Sequence, residues 1–467
     1  MTSTSNSVVR GLVVAACFLL AAPVRMQAQK QTPPAPGTPR NFSLPATQSF
    51  TLPNGLKVTL IPYGTVPKTW MQLVVRSGNA NESANQVWLA DITSDLMQEG
   101  TTTRSAQEVA SAAAGMGGSV NIGVGADETT ISGNSLSEFS PRMVSLVADV
   151  ARNPRLPASE LARLKTNRLR TLAQSKVQPS SLALEKFRGV LYGDHAYGRI
   201  FPTEAIINSF TVEQARTFYT ANFGAGRAHL YVAGKFDART TEAAVRSAFS
   251  GWGRGTPAPD NIPKPASRRS IHLIDRPGAV QSTLILGLPV LDPSNPDYPA
   301  LTVTNALLGG SFGSRITRNI RENKGYTYSP FSSVSTRYRD GYWTQQADVT
   351  TDVTGASLKE IFLEVDRLRS EAPSVEELRG IQNYIAGIFV LQNSSPSGII
   401  SQLRFLNLHG LGRNYLENLV RRVHAVTPAE VMRIAKTYIR PDQMTIVVVG
   451  DKAKVASQLV PYGLTLE

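Results

Sequence analysis

Two stretches of this sequence repeat one pattern, and the repeat constrains the fold more than any other feature. Residues 211–235 and 427–451 each begin with a threonine, continue as an amphipathic helix and end in an apolar strand closed by glycine. They align over 25 residues without a gap, at an offset of 216. Ungapped similarity at a fixed offset indicates an internal duplication. The sequence therefore predicts an α+β fold of two tandem domains that are similar to each other.

The length and the proline clusters predict where the two domains begin and end. A chain of 467 residues is too long for one hydrophobic core, so two domains are expected. Residues 29–47 contain five prolines and predict a flexible lead-in, and the Pro- and Gly-rich residues 251–269 predict a linker. We therefore place an N-terminal domain at residues 48–250 and a C-terminal domain at residues 270–467.

Several local patterns within these domains predict individual helices and strands. Alternating apolar residues indicate strands, and apolar residues spaced three or four apart indicate helices. The predicted strands are 57–62, 70–75, 271–275 and 281–288, and the predicted helices are 86–98, 106–116, 141–153, 158–174 and 298–308.

The first 28 residues have the features of a secretory signal. Arg10 precedes the apolar run 11–24, which is too short to span a bilayer, and Ala28 offers a small residue for cleavage. Cys17, the only cysteine, leaves a lipoprotein as an alternative, and an uncleaved anchor is a second one. The preferred interpretation is an exported, periplasmic protein whose mature chain contains no cysteine and no membrane span.

The charge of the chain is basic but dispersed. The formal net charge is +13, with no block of five or six lysines and arginines. A basic surface can meet nucleic acid, an anionic membrane or acidic peptides. Export argues against nucleic acid, so solvated surface charge is the preferred interpretation and steering of a partner is the second.

Arg321 and Tyr328 are the candidate catalytic residues of the second half. They lie seven positions apart across a predicted helix-to-loop boundary, in the segment Arg-Glu-Asn-Lys-Gly-Tyr-Thr-Tyr. A permanent cation and a phenol that reach one point can hold a developing oxyanion. Upstream, Gly309 and Gly310 permit a tight turn or the close approach of a peptide backbone, so we assign them and Ser311 to substrate binding.

Five short motifs follow one another along the chain: LPNGLKV at 52–58, QEGT at 98–101, HAYG at 195–198, GGSF at 309–312 and GYTY at 325–328. In their order and spacing they resemble the pitrilysin/insulinase metallopeptidase family, which includes the mitochondrial processing peptidase. The resemblance implies that each domain is a mostly antiparallel sheet packed with helices. It also implies that an arginine and a tyrosine of the C-terminal domain bind the scissile carbonyl, and these map onto Arg321 and Tyr328.

The zinc motif of the family is degenerate in this chain. Active members carry H-x-x-E-H on the first helix, with two histidine ligands and a glutamate base. The matching positions hold Asp91, Ser94 and Asp95. Zinc favours imidazole and thiolate ligands, and serine cannot replace a glutamate base. The aspartates are expected to face solvent or to pair with nearby arginines. The later helix at 161–174 contains no acid and carries Arg163, Arg168 and Arg170.

The preferred hypothesis is that the chain is the zinc-free subunit of a two-chain exported peptidase. A homologous partner would supply H-x-x-E-H and zinc, this chain would supply Arg321 and Tyr328, and the peptide substrate would add as a strand to a sheet edge. The first alternative is an inert peptide-binding or assembly scaffold of the same fold. The second is an enzyme that holds a different metal ion at Asp91 and Asp95.

Overall fold

The structure is a computed structural model that describes residues 43–465. The predicted signal at 1–28, Cys17 and most of the lead-in at 29–47 lie outside the described residues. The last residues of the lead-in contact the second half of the chain. Leu44 is buried, and the Arg413 guanidinium donates to the Thr47 hydroxyl (2.7 Å) and the Pro45 carbonyl (3.0 Å). No helix among residues 43–465 combines the length and the apolar character needed to cross a membrane.

The first half contains a six-stranded sheet. Its strands are β1 Gln48–Thr51, β2 Lys57–Pro62, β3 Lys68–Val75, β4 Val120–Val124, β5 Thr129–Leu136 and β6 Ala228–Gly234. Their spatial order is β1-β2-β6-β3-β5-β4, and every pair is antiparallel except β2 with β6. Gly55 turns the chain between the first two strands at φ +96°, a conformation that favours glycine.

The second half contains a five-stranded sheet of the same topology. Its strands are β7 Ser270–Asp275, β8 Gln281–Val290, β9 Phe331–Arg337, β10 Asp340–Thr350 and β11 Thr445–Gly450. The order β7-β11-β8-β10-β9 repeats the order of the first sheet without its edge strand β1. The pair β7 with β11 is parallel, like the equivalent pair β2 with β6, and the other pairs are antiparallel. This topology confirms the predicted α+β fold of two tandem, mostly antiparallel domains.

Helices flank both sheets. Those of the first half are α1 Leu89–Gln98, α2 Ala106–Ala114, α3 Ser140–Arg152, α4 Leu161–Val177, α5 Pro179–Tyr192, α6 Glu204–Ser209, α7 Val212–Asn222 and α8 Ala238–Phe249. Those of the second half are α9 Tyr298–Asn305, α10 Arg315–Thr317, α11 Thr354–Ser370, α12 Val375–Gln392, α13 Pro396–His409, α14 Asn414–Glu417, α15 Leu419–Ala425, α16 Pro428–Tyr438 and α17 Lys452–Leu459. Two π-helical turns, Ala306–Gly310 and Arg318–Asn323, extend α9 and α10.

The repeated stretches form the same unit in both halves. Thr211 and Thr427 cap helices α7 and α16, and each threonine hydroxyl accepts the backbone N–H three residues ahead, at 3.1 and 3.2 Å. A capping hydroxyl satisfies one of the N–H groups that the first turn of a helix leaves without a partner. After a short 3₁₀ turn, each stretch ends in a strand, β6 or β11, that pairs in parallel with one neighbour (β2 or β7) and antiparallel with the other (β3 or β8).

Each half also covers the far face of the other half's sheet. Phe187 of α5 packs with Ile285 and Val447 of the second sheet, whereas Ile400 of α13 packs with Val74 of the first sheet. Alternate residues of a strand point to opposite faces, so both sheets are buried on two sides. Residues 43–465 therefore form one compact unit, and the predicted linker 251–269 connects two interlocked halves.

Candidate functional site

Helix α1 carries the positions that correspond to the zinc motif. Asp91 and Asp95 lie one turn apart and face Arg168 of helix α4. The Arg168 guanidinium donates from Nε and Nη2 to both carboxylate oxygens of Asp95, at 2.7 and 2.8 Å, and from Nη1 to Asp91 at 3.1 Å. A single cation thus bridges the two aspartates. This agrees with the expectation that they pair with nearby arginines, and the structure shows that the arginine belongs to the later helix.

The charges of this bridge are stabilised by one another. Burial opposes the charge of Arg168, but its hydrogen bonds to Asp95 and the charges of both aspartates raise the pKa of the guanidinium. Burial also raises the pKa of Asp91, against the opposite effect of Arg168. The Asn79 amide donates to the remaining oxygen of Asp91 at 2.8 Å. The bridge is a charge-assisted network with little solvent exposure.

These residues do not fit a zinc ion. The carboxylate oxygens of Asp91 and Asp95 already accept hydrogen bonds, and the position of the family's base holds the buried Ser94. Among residues 43–465, no three His, Cys, Asp or Glu side chains form a group that could hold a metal. The hypothesis of a different metal at Asp91 and Asp95 has no support in this donor set.

Helix α1 begins later than the sequence predicts because a distant glutamate caps it. Trp88 adopts φ +74°, and the Glu82 carboxyl accepts the backbone N–H groups of Trp88 (3.0 Å) and Ala90 (2.8 Å). The helix therefore starts at Leu89, although apolar spacing predicts a start at residue 86. Burial raises the pKa of Glu82 to about 8. Sequence analysis missed this residue, since an acid several positions before a helix carries no distinctive spacing.

The structure places Arg321 and Tyr328 next to each other in the second half. Arg321 lies in the π turn Arg318–Asn323, after which Gly325, at φ +65°, reverses the chain. The Thr327 hydroxyl then donates to the Asp348 carbonyl at 2.6 Å, which fixes the segment against strand β10. The Arg321 guanidinium carbon lies 5.2 Å from the centre of the Tyr328 ring.

Tyr328 lies on an accessible surface, and Arg321 beside it is partly buried, with 22% of its side chain exposed. The Arg321 guanidinium is also 4.3 Å from the ring centre of Phe312, so it lies against two aromatic rings. Tyr328 is 81% exposed and Phe312 is 74% exposed. The Arg321 ion pair is long, at 3.4 Å to the exposed Glu322. The exposed phenol of Tyr328 therefore lies beside a partly buried guanidinium that makes no hydrogen bond to another described side chain.

The two glycines assigned to substrate binding have a packing reason in this fold. A Cβ atom at Gly309 would lie 2.5 Å from the Gln345 side chain and 2.6 Å from that of Ser332, and one at Gly310 would lie 2.4 Å from the Asn305 amide. The π turn can therefore lie this close to the sheet only without side chains. A cavity of about 710 Å³ lies between the segment 311–323 and helices α11 and α12. Of the three assigned residues, Ser311 alone lines it, so substrate binding by the glycines stays a prediction.

Two family profiles match the chain in succession. The profile of the Insulinase (Peptidase family M16) family matches residues 58–200, and the Peptidase M16 inactive domain profile matches residues 209–385. Among curated relatives, an "uncharacterized zinc protease" of Streptomyces coelicolor is 23% identical over 88% of this chain and 91% of that protein. One of Rickettsia felis is 27% identical over 70% of this chain and 79% of that protein.

Solved structures share the fold across most of the chain. A peptidase M16 inactive domain from Pseudomonas fluorescens superimposes with a TM-score of 0.80 and 26% identity, covering 87% of this chain and 98% of that one. A protease from Helicobacter pylori gives a TM-score of 0.82 at 18% identity, covering 87% and 100%. This chain therefore has the same two-domain architecture as these proteins. In this chain the aspartate–arginine bridge occupies the positions of the family's zinc motif.

Proposed function

Because this chain belongs to the insulinase (M16) peptidase family and its zinc-motif positions are bridged by an arginine, we propose that it is the zinc-free subunit of an exported heterodimeric metallopeptidase. A homologous partner subunit supplies H-x-x-E-H and the zinc ion. This chain supplies Arg321 and Tyr328 to the scissile carbonyl of a peptide substrate.

The observation that carries the proposal is the contrast between the two halves of the site. The Arg168 guanidinium is engaged by two internal carboxylates, and it therefore has little capacity left for a ligand. Arg321 lies against two rings with a 3.4 Å ion pair, so its N–H donors remain available to a substrate. Loss of the metal side together with retention of the carbonyl-binding side fits a subunit that completes another chain's site.

Arg321 and Tyr328 have the chemistry for this role. As water adds to a scissile peptide bond, negative charge develops on the carbonyl oxygen. The guanidinium of Arg321 and the hydroxyl of Tyr328 both donate hydrogen bonds, and donors held in place before the reaction stabilise that charge. Closure of a partner over the exposed Tyr328 would exclude water, which strengthens these hydrogen bonds. The substrate adds as a strand to a sheet edge, and export rests on the apolar segment 11–24.

The exposure of Tyr328 also favours a second candidate, an inert peptide-binding or assembly scaffold. Neither Arg321 nor Tyr328 lines the neighbouring 710 Å³ cavity, so a surface role as a contact for another protein is the competing explanation. In that case the chain would bind its partner, and changes at the two residues would leave the rate of hydrolysis unaffected.

Reconstitution tests the proposal. The chain without residues 1–28 is purified alone and mixed with a zinc-bearing homologue encoded nearby, and hydrolysis of a fluorogenic peptide library is measured. We expect activity in the mixture only, with one zinc per pair, and none when glutamine replaces the glutamate of the homologue's H-x-x-E-H. Hydrolysis or stoichiometric zinc in this chain alone would contradict the proposal.

A further inference from the structure

A second cavity lies where the two halves meet, at one end of the first sheet. Its volume of about 360 Å³ is within the range of small-molecule sites, roughly 300–1,000 Å³. Strands β2 and β6 begin at this end and β3 ends there, because the register pairs Lys57 with His229 and Val75 with Ala228. The tip of the β9–β10 hairpin and the end of helix α13 form the rest of the wall. The cavity is therefore built from both halves of the chain.

Four basic side chains line this cavity. They are Lys57, Arg76, Arg227 and Arg339. The Arg76 backbone N–H donates to the Arg227 carbonyl at 3.0 Å, so these two residues are neighbours across the sheet. The guanidinium carbons of Arg76 and Arg339 lie 3.6 and 5.5 Å from the centre of the Tyr338 ring, and they are no farther apart than the sum of these two distances. The positive charges are thus gathered around one space.

The charges of these four cations are not compensated by acids of the described chain. No carboxylate oxygen among residues 43–465 lies within 4.0 Å of any of them. Arg227 donates only to neutral oxygens, among them the Thr256 and Pro257 carbonyls at 2.6 and 2.9 Å. Glu128 also lines the cavity, but it is buried and accepts from Arg404 at 3.0 Å. The cavity therefore has an excess of positive charge.

The cationic groups are open to a ligand. Lys57 and Arg339 are exposed, and the Arg76 guanidinium makes no hydrogen bond within the described residues and is not enclosed. Burial, and after it the charge of Lys57, lower the pKa of His229 to about 4, so this neighbouring ring is neutral. The positive charge of the cavity therefore comes from groups that a ligand can reach.

The backbone carbonyls at the end of α13 are the groups that would oppose an anion, since the C-terminal end of a helix is partly negative. The Leu406 carbonyl already accepts the Leu411 N–H at 2.8 Å, and the Asn407 carbonyl accepts the Gly410 N–H at 3.4 Å. These hydrogen bonds reduce the opposition, and four whole positive charges exceed a partial negative one.

The conformation of Arg339 gives independent support. It adopts φ +52° in the two-residue turn between β9 and β10, a conformation that favours glycine. Backbone strain of this kind clusters at ligand sites. The turn therefore favours a functional side chain at a position where glycine would cost less.

We propose that this cavity binds a small soluble oxyanion with at least two negative charges, such as a diphosphate. Guanidinium groups match phosphate oxygens with paired N–H donors, and an ammonium group adds a compact charge. The ion lies between Lys57 and Arg76 of the first half and Arg339 of the second, and it links the two halves. The proposal does not depend on the peptidase role, because its residues belong to neither the aspartate–arginine bridge nor the Arg321–Tyr328 pair.

The test is calorimetric titration of this chain with sodium pyrophosphate at constant ionic strength. We expect saturable binding at one site and a higher melting temperature, since a ligand that binds only the folded state stabilises it. Lys57→Gln and Arg339→Gln should each weaken binding about tenfold, because each removes a hydrogen bond between charged groups. Lys235→Gln, which removes an exposed cation at the opposite end of β6, should leave binding unchanged.

Lys57 and Arg339 are exposed and form no ion pair within the described residues, so both variants should unfold at the wild-type temperature without pyrophosphate. Absence of saturable binding at about 10 mM pyrophosphate, where a millimolar site is filled, would overturn the proposal. An equal loss of affinity in Lys235→Gln would overturn it too, because it would show attraction to the net charge of the chain. Binding to phosphatidylglycerol vesicles without binding of pyrophosphate would replace the soluble ligand with a membrane surface.

Discussion

The aspartate–arginine bridge of the first half and the Arg321–Tyr328 pair of the second half hold their cations in opposite ways. Arg168 makes three hydrogen bonds of 2.7 to 3.1 Å to two carboxylates of its own chain. Arg321 lies against two exposed rings, with an ion pair of 3.4 Å to an exposed acid. The Arg168 guanidinium is satisfied by its own chain, whereas the N–H donors of Arg321 make no hydrogen bond to another described side chain.

This difference shows how a metal site can be lost without loss of the helix that carried it. A bound metal ion links the segments that supply its ligands. In this chain the guanidinium of Arg168 on α4 joins two turns of α1, so a side-chain cation links these two helices. The fold is retained while the chemistry of that half is removed.

The largest expected effect is a loss of catalytic rate when the Arg321–Tyr328 pair is changed. In the reconstituted pair, Arg321→Ala removes a donor from the developing oxyanion and should lower kcat roughly 100- to 1,000-fold. Lys324→Ala is the matched control, because it removes a cation from the same segment whose ammonium pairs with Glu360 at 3.5 Å. An equal fall of kcat in both variants would show that the net charge of the segment matters, and it would contradict a specific role for Arg321.

The next effect tests whether Arg168 supports the fold. Arg168→Met leaves Asp91 and Asp95 without their cation and should lower the free energy of unfolding by about 2–3 kcal/mol, since breaking a buried pair costs about 3–5 and these groups keep some solvent contact. Chemical denaturation measures it. Arg163→Met, at an exposed arginine of the same helix, should cost below about 1 kcal/mol.

A third variant separates packing from substrate binding at the glycine pair. Gly309→Ala places a methyl group against the Gln345 and Ser332 side chains, and such overpacking typically costs about 1–3 kcal/mol. We expect that loss in denaturation experiments, with the KM of the folded complex unchanged. An unchanged stability with a raised KM would instead assign Gly309 to the substrate.

The smallest expected effect is a pH dependence at the start of helix α1. Because burial raises the pKa of Glu82 from 4.5 to about 8, its protonated form is favoured in the folded state. Its contribution to stability is present at acid pH and is lost as the pH rises through 8. Between pH 6 and 9, the melting temperature should fall less in Glu82→Gln than in the wild type. Glu108→Gln, at an exposed acid with a lowered pKa, should leave the fall unchanged.

Much of the fold is readable from local pattern, because its elements are marked by residues close in sequence. The strand predicted at 57–62 is β2 with the same bounds, and the repeat predicted the equivalent strands β6 and β11. The exchange of helices α5 and α13 between the halves was not predicted. It depends on contacts between residues about a hundred or more positions apart, which apolar spacing does not encode.

The sequence predicted which residues occupy the motif positions, but it did not predict which side chains those residues contact. Motif positions identified Asp91, Asp95, Arg321 and Tyr328, but several arginines of the later helix could have paired with the aspartates. The register of α4 against α1 selects Arg168. The cavity between the segment 311–323 and helices α11 and α12 was not predicted, because its lining residues come from segments that meet only in the folded chain.

The most direct test of the account is the rate of peptide hydrolysis by the reconstituted pair carrying Tyr328→Phe. The change removes one oxygen from a side chain that is 81% exposed, so folding and partner binding should be preserved. We predict a kcat lower by on the order of 100-fold with KM within about twofold of the wild type. A kcat equal to that of the wild type would contradict the assignment of the carbonyl-binding half of the site to this chain.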